Sequence, residues 1–212
     1  MSFNYNFKFI LISILIIFCF LIIYFNFFFN ETEYINADSG NTYLLKNYED
    51  KNTAKDSANA LDQINKNNII LIDYLLKIYP NIYWIQKLSS NYKRNGSGGT
   101  SLSEAAINSS LTSFTIDKKD MNICLRTRDK KNILYDYNTL MYVIIHELSH
   151  MGNYDLNGNA IEGHGKEFIE KFKFILKTAI KLNLYQWVDY KQFPKEYCGI
   201  LISSQILSQQ EL

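Results

Sequence analysis

All three histidines of the chain lie within nineteen consecutive positions, as His146-Glu147-Leu148-Ser149-His150 followed by Gly163-His164-Gly165. No other feature restricts the fold as strongly, because it calls for a helix and a returning loop that bring three imidazoles together. On an α-helix each residue advances about 100°, so His146 and His150 differ by about 40° in azimuth and about 6 Å along the axis, within reach of one metal ion. Glu147 projects beside them and can touch a water at the metal without being a ligand. With three His and ten Glu in 212 residues, a chance H-E-x-x-H match is expected about 0.002 times per chain of this composition.

The flanks agree with a helix. Asp136-Tyr137-Asn138-Thr139 offers capping side chains, and residues 140–145 run apolar directly into His146, as in a helix buried on most sides. The β-branched residues of that run would also suit a core strand; the cap and the length favour helix. Met151-Gly152-Asn153 and Asn157-Gly158-Asn159 then stop the helix and turn the chain back. A catalytic zinc takes three protein ligands and keeps one position open, so a third ligand is expected beyond this turn. His164 is the remaining histidine, with Glu162, Glu167 and Glu170 as rival carboxylates. It precedes an amphipathic segment, residues 166–182, in which Phe168, Phe172, Ile175, Ala179 and Leu182 recur at spacings of three and four and are expected to pack on the first helix. Zinc is the expected cofactor, because it favours imidazole in such sites.

The H-E-L-x-H helix, the glycine-bounded Gly163-His164-Gly165-Lys166-Glu167-Phe168 and the strand-like segments before the motif resemble the WLM and SprT-like zinc metallopeptidases, closest to members encoded by large DNA viruses. The resemblance covers about residues 110–200 and includes Thr112-Ser113-Phe114-Thr115-Ile116, Ile123-Cys124-Leu125-Arg126 and Tyr197-Cys198-Gly199-Ile200. It implies an α+β, zincin-like domain with an HExxH active-site helix, a β-hairpin edge and a following helix bringing the third ligand. It further implies His146, His150 and His164 as zinc ligands, Glu147 as catalytic base, and a protein or peptide substrate.

A second feature lies at the N-terminus. Residues 9–29 are almost all Ile, Leu or Phe, without charge, and at 1.5 Å per residue would cross a bilayer core of about 30 Å. The run is longer than a signal-peptide core and ends in Asn30-Glu31-Thr32-Glu33, so residues 1–30 are expected to be an uncleaved transmembrane anchor in contact with the bilayer through 9–29. Lys8 before the run and Glu31, Glu33 and Asp38 after it favour a single-pass arrangement with the catalytic domain extracytoplasmic. Cys124 and Cys198, the cysteines outside that run, would suit one disulfide or equally two separate buried thiols.

Residues 31–52 are polar and read as a linker, leaving 53–212 as one domain of adequate core. Leu61, Ile64, Leu71, Ile72, Leu75 and Ile78 predict a long amphipathic helix closed by Pro80, with a shorter helix over 82–88. Asn95-Gly96-Ser97-Gly98-Gly99-Thr100 lacks the Gly-Lys-Ser/Thr ending of a phosphate loop and reads as a plain loop. Residues 113–116 and 121–127 around Asp117-Lys118-Lys119-Asp120 predict a hairpin whose edge could pair with an extended substrate. A net charge of +1 with scattered pairs such as Lys118-Lys119, read as solvated turn residues, excludes a nucleic-acid surface. Tyr190 and Tyr197 are candidates for a second oxyanion donor, with core packing the commoner role of a tyrosine. Against a membrane-anchored zinc peptidase stand two other readings, a non-proteolytic zinc-binding module and a structural membrane protein of a virion.

Overall fold

The computed structural model describes residues 3–28, 32–95, 99–106 and 112–211. The centre of the glycine-rich loop, 96–98, and residues 29–31 at the join of the expected anchor and linker lie outside them. The fold is α+β with a mixed five-stranded sheet in the order β1-β2-β5-β7-β6. β1 (Thr32–Asn36) and β2 (Thr42–Lys46) form an antiparallel pair, β2 and β5 (Leu102–Glu104) run parallel, as do β5 and β7 (Asp120–Ile123), and β6 (Phe114–Ile116) closes the sheet antiparallel to β7. Two short hairpins stand apart, β3 (Arg94–Asn95) with β4 (Gly99–Thr100) and β8 (Lys195–Tyr197) with β9 (Ile200–Ile202).

Segment 31–52 is therefore not a linker, and the domain extends upstream of residue 53. Within β2, Tyr43 and Leu45 alternate with outward Thr42, Leu44 and Lys46, and both inward side chains are fully buried. That period of two is what a half-buried strand requires, although it is short and set among polar residues. Glu104, nearly buried, ties β5 to β2 by accepting hydrogen bonds from the Lys46 amide at 3.2 Å and the Tyr48 hydroxyl at 2.5 Å. Burial pushes its carboxyl up to about 7.

The N-terminal helix α1 (Phe3–Phe28) corrects a second expectation: among the described residues no helix is long and apolar enough to cross a membrane. The expected transmembrane helix and the single-pass location with an extracytoplasmic domain are not upheld.

Helix α2 (Lys51–Ile78) is capped by Asp50, whose carboxylate accepts from the amides of Asn52 and Thr53, and it ends at Tyr79 before Pro80. It lies against β1, β2 and β5, and α3 (Tyr83–Asn91) follows it. Helix α4 (Tyr137–Met151) lies beside β6 and packs on α5 (Lys166–Lys181). The buried faces of these elements, among them Leu61, Leu75, Met121, Ile144, Phe168 and Phe172, form one hydrophobic core. A short 3-10 turn, Gln209–Glu211, is the last described element.

Candidate metal centre

Helix α4 carries the motif, and its start is fixed locally. The Asp136 carboxylate accepts from the Thr139 amide at 2.9 Å and the Thr139 hydroxyl at 2.8 Å, satisfying a donor that the first turn leaves open. The helix ends where α3 crosses it: a Cβ on Gly152 would meet Trp84 Cε3 at 3.2 Å and Leu88 Cβ at 3.4 Å. A side chain there would make Trp84 give way by a few tenths of an ångström. The chain then folds back through a turn in which the Asp155 carboxylate accepts from the amides of Asn157 and Asn159, and the Ile161 amide returns to the Asn153 carbonyl at 2.8 Å. Gly163, at φ +74°, makes the last reversal before His164 and α5.

These elements converge on three nitrogens. The Nε2 atoms lie 3.2 Å (His146 to His150), 3.0 Å (His150 to His164) and 3.0 Å (His146 to His164) apart. Three imidazoles cannot all aim a proton at an acceptor in so tight a triangle, so lone pairs face one another, an arrangement that a cation at the common focus stabilises. The spacing is slightly below the ~3.4 Å between ligands in a tetrahedral site with bonds of about 2.0–2.1 Å. The donor set fits a metal ion. Among the described residues this is the grouping that could hold one, and none of the rival carboxylates Glu162, Glu167 and Glu170 is part of it; Glu162, which shares a cavity with the histidines, pairs with Lys118 at 3.2 Å, and Glu170 pairs with Lys166 at 3.8 Å.

Burial sets the protonation states. His146 is pushed down to about 3 by burial and then by the neighbouring His150 and His164, and His150 to about 4 by burial and then by His164. Both are neutral at ordinary pH, as ligand nitrogens must be. Phe168 and Phe172 of α5, both buried, supply the apolar floor, with ring centroids 4.9 and 5.3 Å from His146. Burying each phenyl stabilises the α4–α5 contact by about 2–3 kcal/mol.

Glu147 is 3% exposed and burial pushes its carboxyl up to about 7, opposed by the hydrogen bond that Thr115 Oγ1 donates to its Oε2 at 2.7 Å. Thr115 is on β6, the outer strand of the sheet, so the edge of the sheet and the motif helix meet at this carboxylate. Two cavities flank the cluster. One, of about 380 Å³, is walled by Val143, Phe172, Ile169, Ile202 and Ile206, with Glu147 and His146 at its edge. The other, of about 260 Å³, is lined by Thr115, Asp117, Lys118, Glu162 and the histidines.

Tyr197 borders the larger cavity, yet its hydroxyl is committed elsewhere. It donates to the Cys124 carbonyl at 2.8 Å and receives the Ser113 hydroxyl at 2.7 Å, while Ser113 Oγ accepts from the Cys124 amide at 3.1 Å. This closed ring leaves no proton for a substrate oxyanion. Tyr190 packs on the Tyr142 ring at 4.8 Å and belongs to the core. Cys124 and Cys198 are joined as a disulfide. Sequence reasoning missed Thr115, Ser113 and Lys118 as parts of the site. Their contacts to α4, β8 and the Ile161 loop span 32, 84 and 43 residues, separations at which no local pattern reports.

The fold and the three-histidine cluster define an α+β domain that could hold a metal ion. The chain is 34% identical over 184 residues to an uncharacterized protein of Acanthamoeba polyphaga mimivirus, spanning 84% of this chain and 86% of that one, and it belongs to that protein's family. It is also 36% identical over 100 residues to an uncharacterized protein of Invertebrate iridescent virus 6 (46% of this chain, 51% of the relative). To one of Invertebrate iridescent virus 3 it is 35% identical over 88 residues (42% and 50%). No protein-family model and no solved structure matches the chain.

Proposed function

We propose that the protein is a zinc-dependent metallopeptidase of the HExxH type, akin to the WLM and SprT-like enzymes. The observation that carries this reading is a buried carboxylate, Glu147, fixed by Thr115 beside three converging imidazoles and next to an open sheet edge. A structural zinc site has no need of that carboxylate. When bound, zinc supplies Lewis acidity that brings the pKa of a water towards about 7. Glu147 accepts the water's proton as oxygen adds to the scissile carbonyl, then returns it to the leaving amine. Thr115 holds Oε2, which leaves Oε1 for the proton.

The substrate is an extended protein or peptide segment laid on β6 by main-chain hydrogen bonds. Antiparallel to β6, it runs from the Lys118 end towards Ser113, so the residue after the scissile bond meets the apolar cavity of Val143, Ile202 and Ile206. Cleavage is therefore expected before Leu, Phe or Ile. Mapping of products from an unfolded test protein by mass spectrometry checks this, and Ile202→Asp should slow cleavage at those sites at least about tenfold, the scale of one side chain's fit in an apolar pocket. Cleavage indifferent to the following residue would remove the cavity from the substrate path.

The test of the metal is direct. His146→Ala, His150→Ala and His164→Ala should each abolish stoichiometric zinc in the purified protein by elemental analysis, while Glu170→Ala keeps it. Zinc should stay bound well below pH 6, because burial holds the metal-free His146 and His150 neutral down to about 3 and about 4, and should be released as pH falls through that range. Full zinc in His164→Ala would transfer the third position to a carboxylate, and zinc without any cleavage would make the protein a metal-holding module.

A further inference from the structure

Lys118 does not behave as the solvated turn residue its sequence suggests. It is 7% exposed, whereas Lys119 beside it is exposed. It sits at φ +58° after Asp117 at φ +50°, in a turn closed by the Lys119 amide on the Ile116 carbonyl at 2.9 Å. Two successive positive φ values are those of a type I′ turn, which glycine and asparagine fill without strain. A lysine there adds backbone strain, and burying its ammonium adds desolvation. Nothing in the turn offsets either.

The offset is across the gap. Lys118 Nζ donates to the Ile161 carbonyl at 2.7 Å and pairs with Glu162 Oε1 at 3.2 Å. The same carbonyl accepts from Asn153 Nδ2 at 3.1 Å, and Asn153, fully buried, accepts from Lys171 Nζ of α5 at 3.0 Å. His164 begins two residues beyond Glu162. Among the described residues no hydrogen bond reaches the backbone of Gly163 or His164. The third imidazole, the exposed one of the three, thus depends on how firmly Ile161 and Glu162 are held.

We propose that Lys118 is a positioning residue: from the β6–β7 turn its ammonium clamps the Ile161 carbonyl and the Glu162 carboxylate and so holds His164 in register with His146 and His150. The clamp joins the strand that carries Thr115 to the loop that carries the third ligand, so one turn sets the distance between the base and the metal. The inference rests on the three histidines being ligands.

The test uses the full chain with Lys118→Gly, Lys118→Met and Lys118→Arg. Zinc affinity is measured by competition with a chromogenic chelator, and hydrogen exchange of the Ile161 amide, bonded to the Asn153 carbonyl, is followed in the metal-free protein. Lys118→Gly and Lys118→Met should weaken zinc about 10- to 100-fold, the usual effect of removing a residue that orients a ligand. Both should speed Ile161 exchange at least about tenfold. Lys118→Arg should restore most of both. Glycine relieves the positive φ, so metal-free Lys118→Gly should melt within a few degrees of the parent, which separates positioning from general loss of fold. Zinc affinity and Ile161 exchange within twofold of the parent in the Gly and Met variants would overturn the proposal, as would weakened zinc with unchanged exchange. A parent that binds no zinc would refute the metal reading, and the exchange measurement would still decide whether the clamp exists.

Discussion

Replacing Glu147 with glutamine is expected to leave the fold and zinc binding in place and to cut peptide hydrolysis about 10²- to 10⁴-fold, roughly 3 to 5 kcal/mol of transition-state stabilisation. The amide keeps the side-chain shape, and its oxygen can still accept the Thr115 hydroxyl, now 2.7 Å from Oε2. It cannot take a proton from water. Stability gives an independent readout in the metal-free protein. The native carboxyl holds its proton up to about 7, against 4.5 as the ordinary value, so its contribution is present at low pH and is lost as pH rises through that window. His146 and His150 act in the opposite sense: with native values near 3 and 4 against 6.5, they cost stability as pH falls below about 6.5. Metal-free Glu147→Gln should therefore exceed the parent at pH 8 by roughly 1 to 3 kcal/mol and match it near pH 4. Melting curves at the two pH values check this, and rates are compared at matched zinc content. A variant that cleaves as fast as the parent would require withdrawal of the peptidase reading.

The parts of this centre legible in the sequence are those whose partners are near in the chain. His146, Glu147 and His150 share one helix turn, Asp136 caps that helix three residues from Thr139, and the Asp117–Lys119 turn lies between its own strands. His164 could be inferred because imidazoles are scarce, although its arrival at the other two depends on a loop closed by Gly163 and clamped from β6. Thr115, Ser113 and Lys118 were illegible because each acts on a residue brought close only by tertiary packing. The sheet was half legible. Its β6–β7 hairpin has a local turn, whereas β2 enters by parallel pairing with β5, anchored by the Lys46–Glu104 bond at a sequence separation of 58.

The disulfide between Cys124 and Cys198 is expected to be the largest single contribution to domain stability outside the core. It closes a loop of 74 residues, and restricting the unfolded chain over that length corresponds to about 4 kcal/mol. Cys124 directly follows β7, and Cys198, at φ +48°, occupies the tip of the β8–β9 hairpin. The bond therefore fastens the C-terminal hairpin to the sheet at the point where Ser113, Tyr197 and the Cys124 backbone close their ring. That hairpin supplies Ile202 to the apolar cavity beside Glu147. The double variant Cys124→Ala, Cys198→Ala should lower the melting temperature by about 8–16 °C, from about 2–4 °C per kcal/mol for a domain of this size. Parent protein treated with a dithiol reductant should shift by a similar amount. Glu147, held by Thr115 on β6 rather than by the hairpin, should keep its place, so at a temperature where the variant remains folded zinc affinity should stay near that of the parent. Preference for an apolar residue after the scissile bond should relax, because one wall of the cavity has lost its anchor. A melting temperature within about 2 °C of the parent, less than about 1 kcal/mol, would mean that packing of Tyr197, 1% exposed, holds the hairpin without the covalent tie.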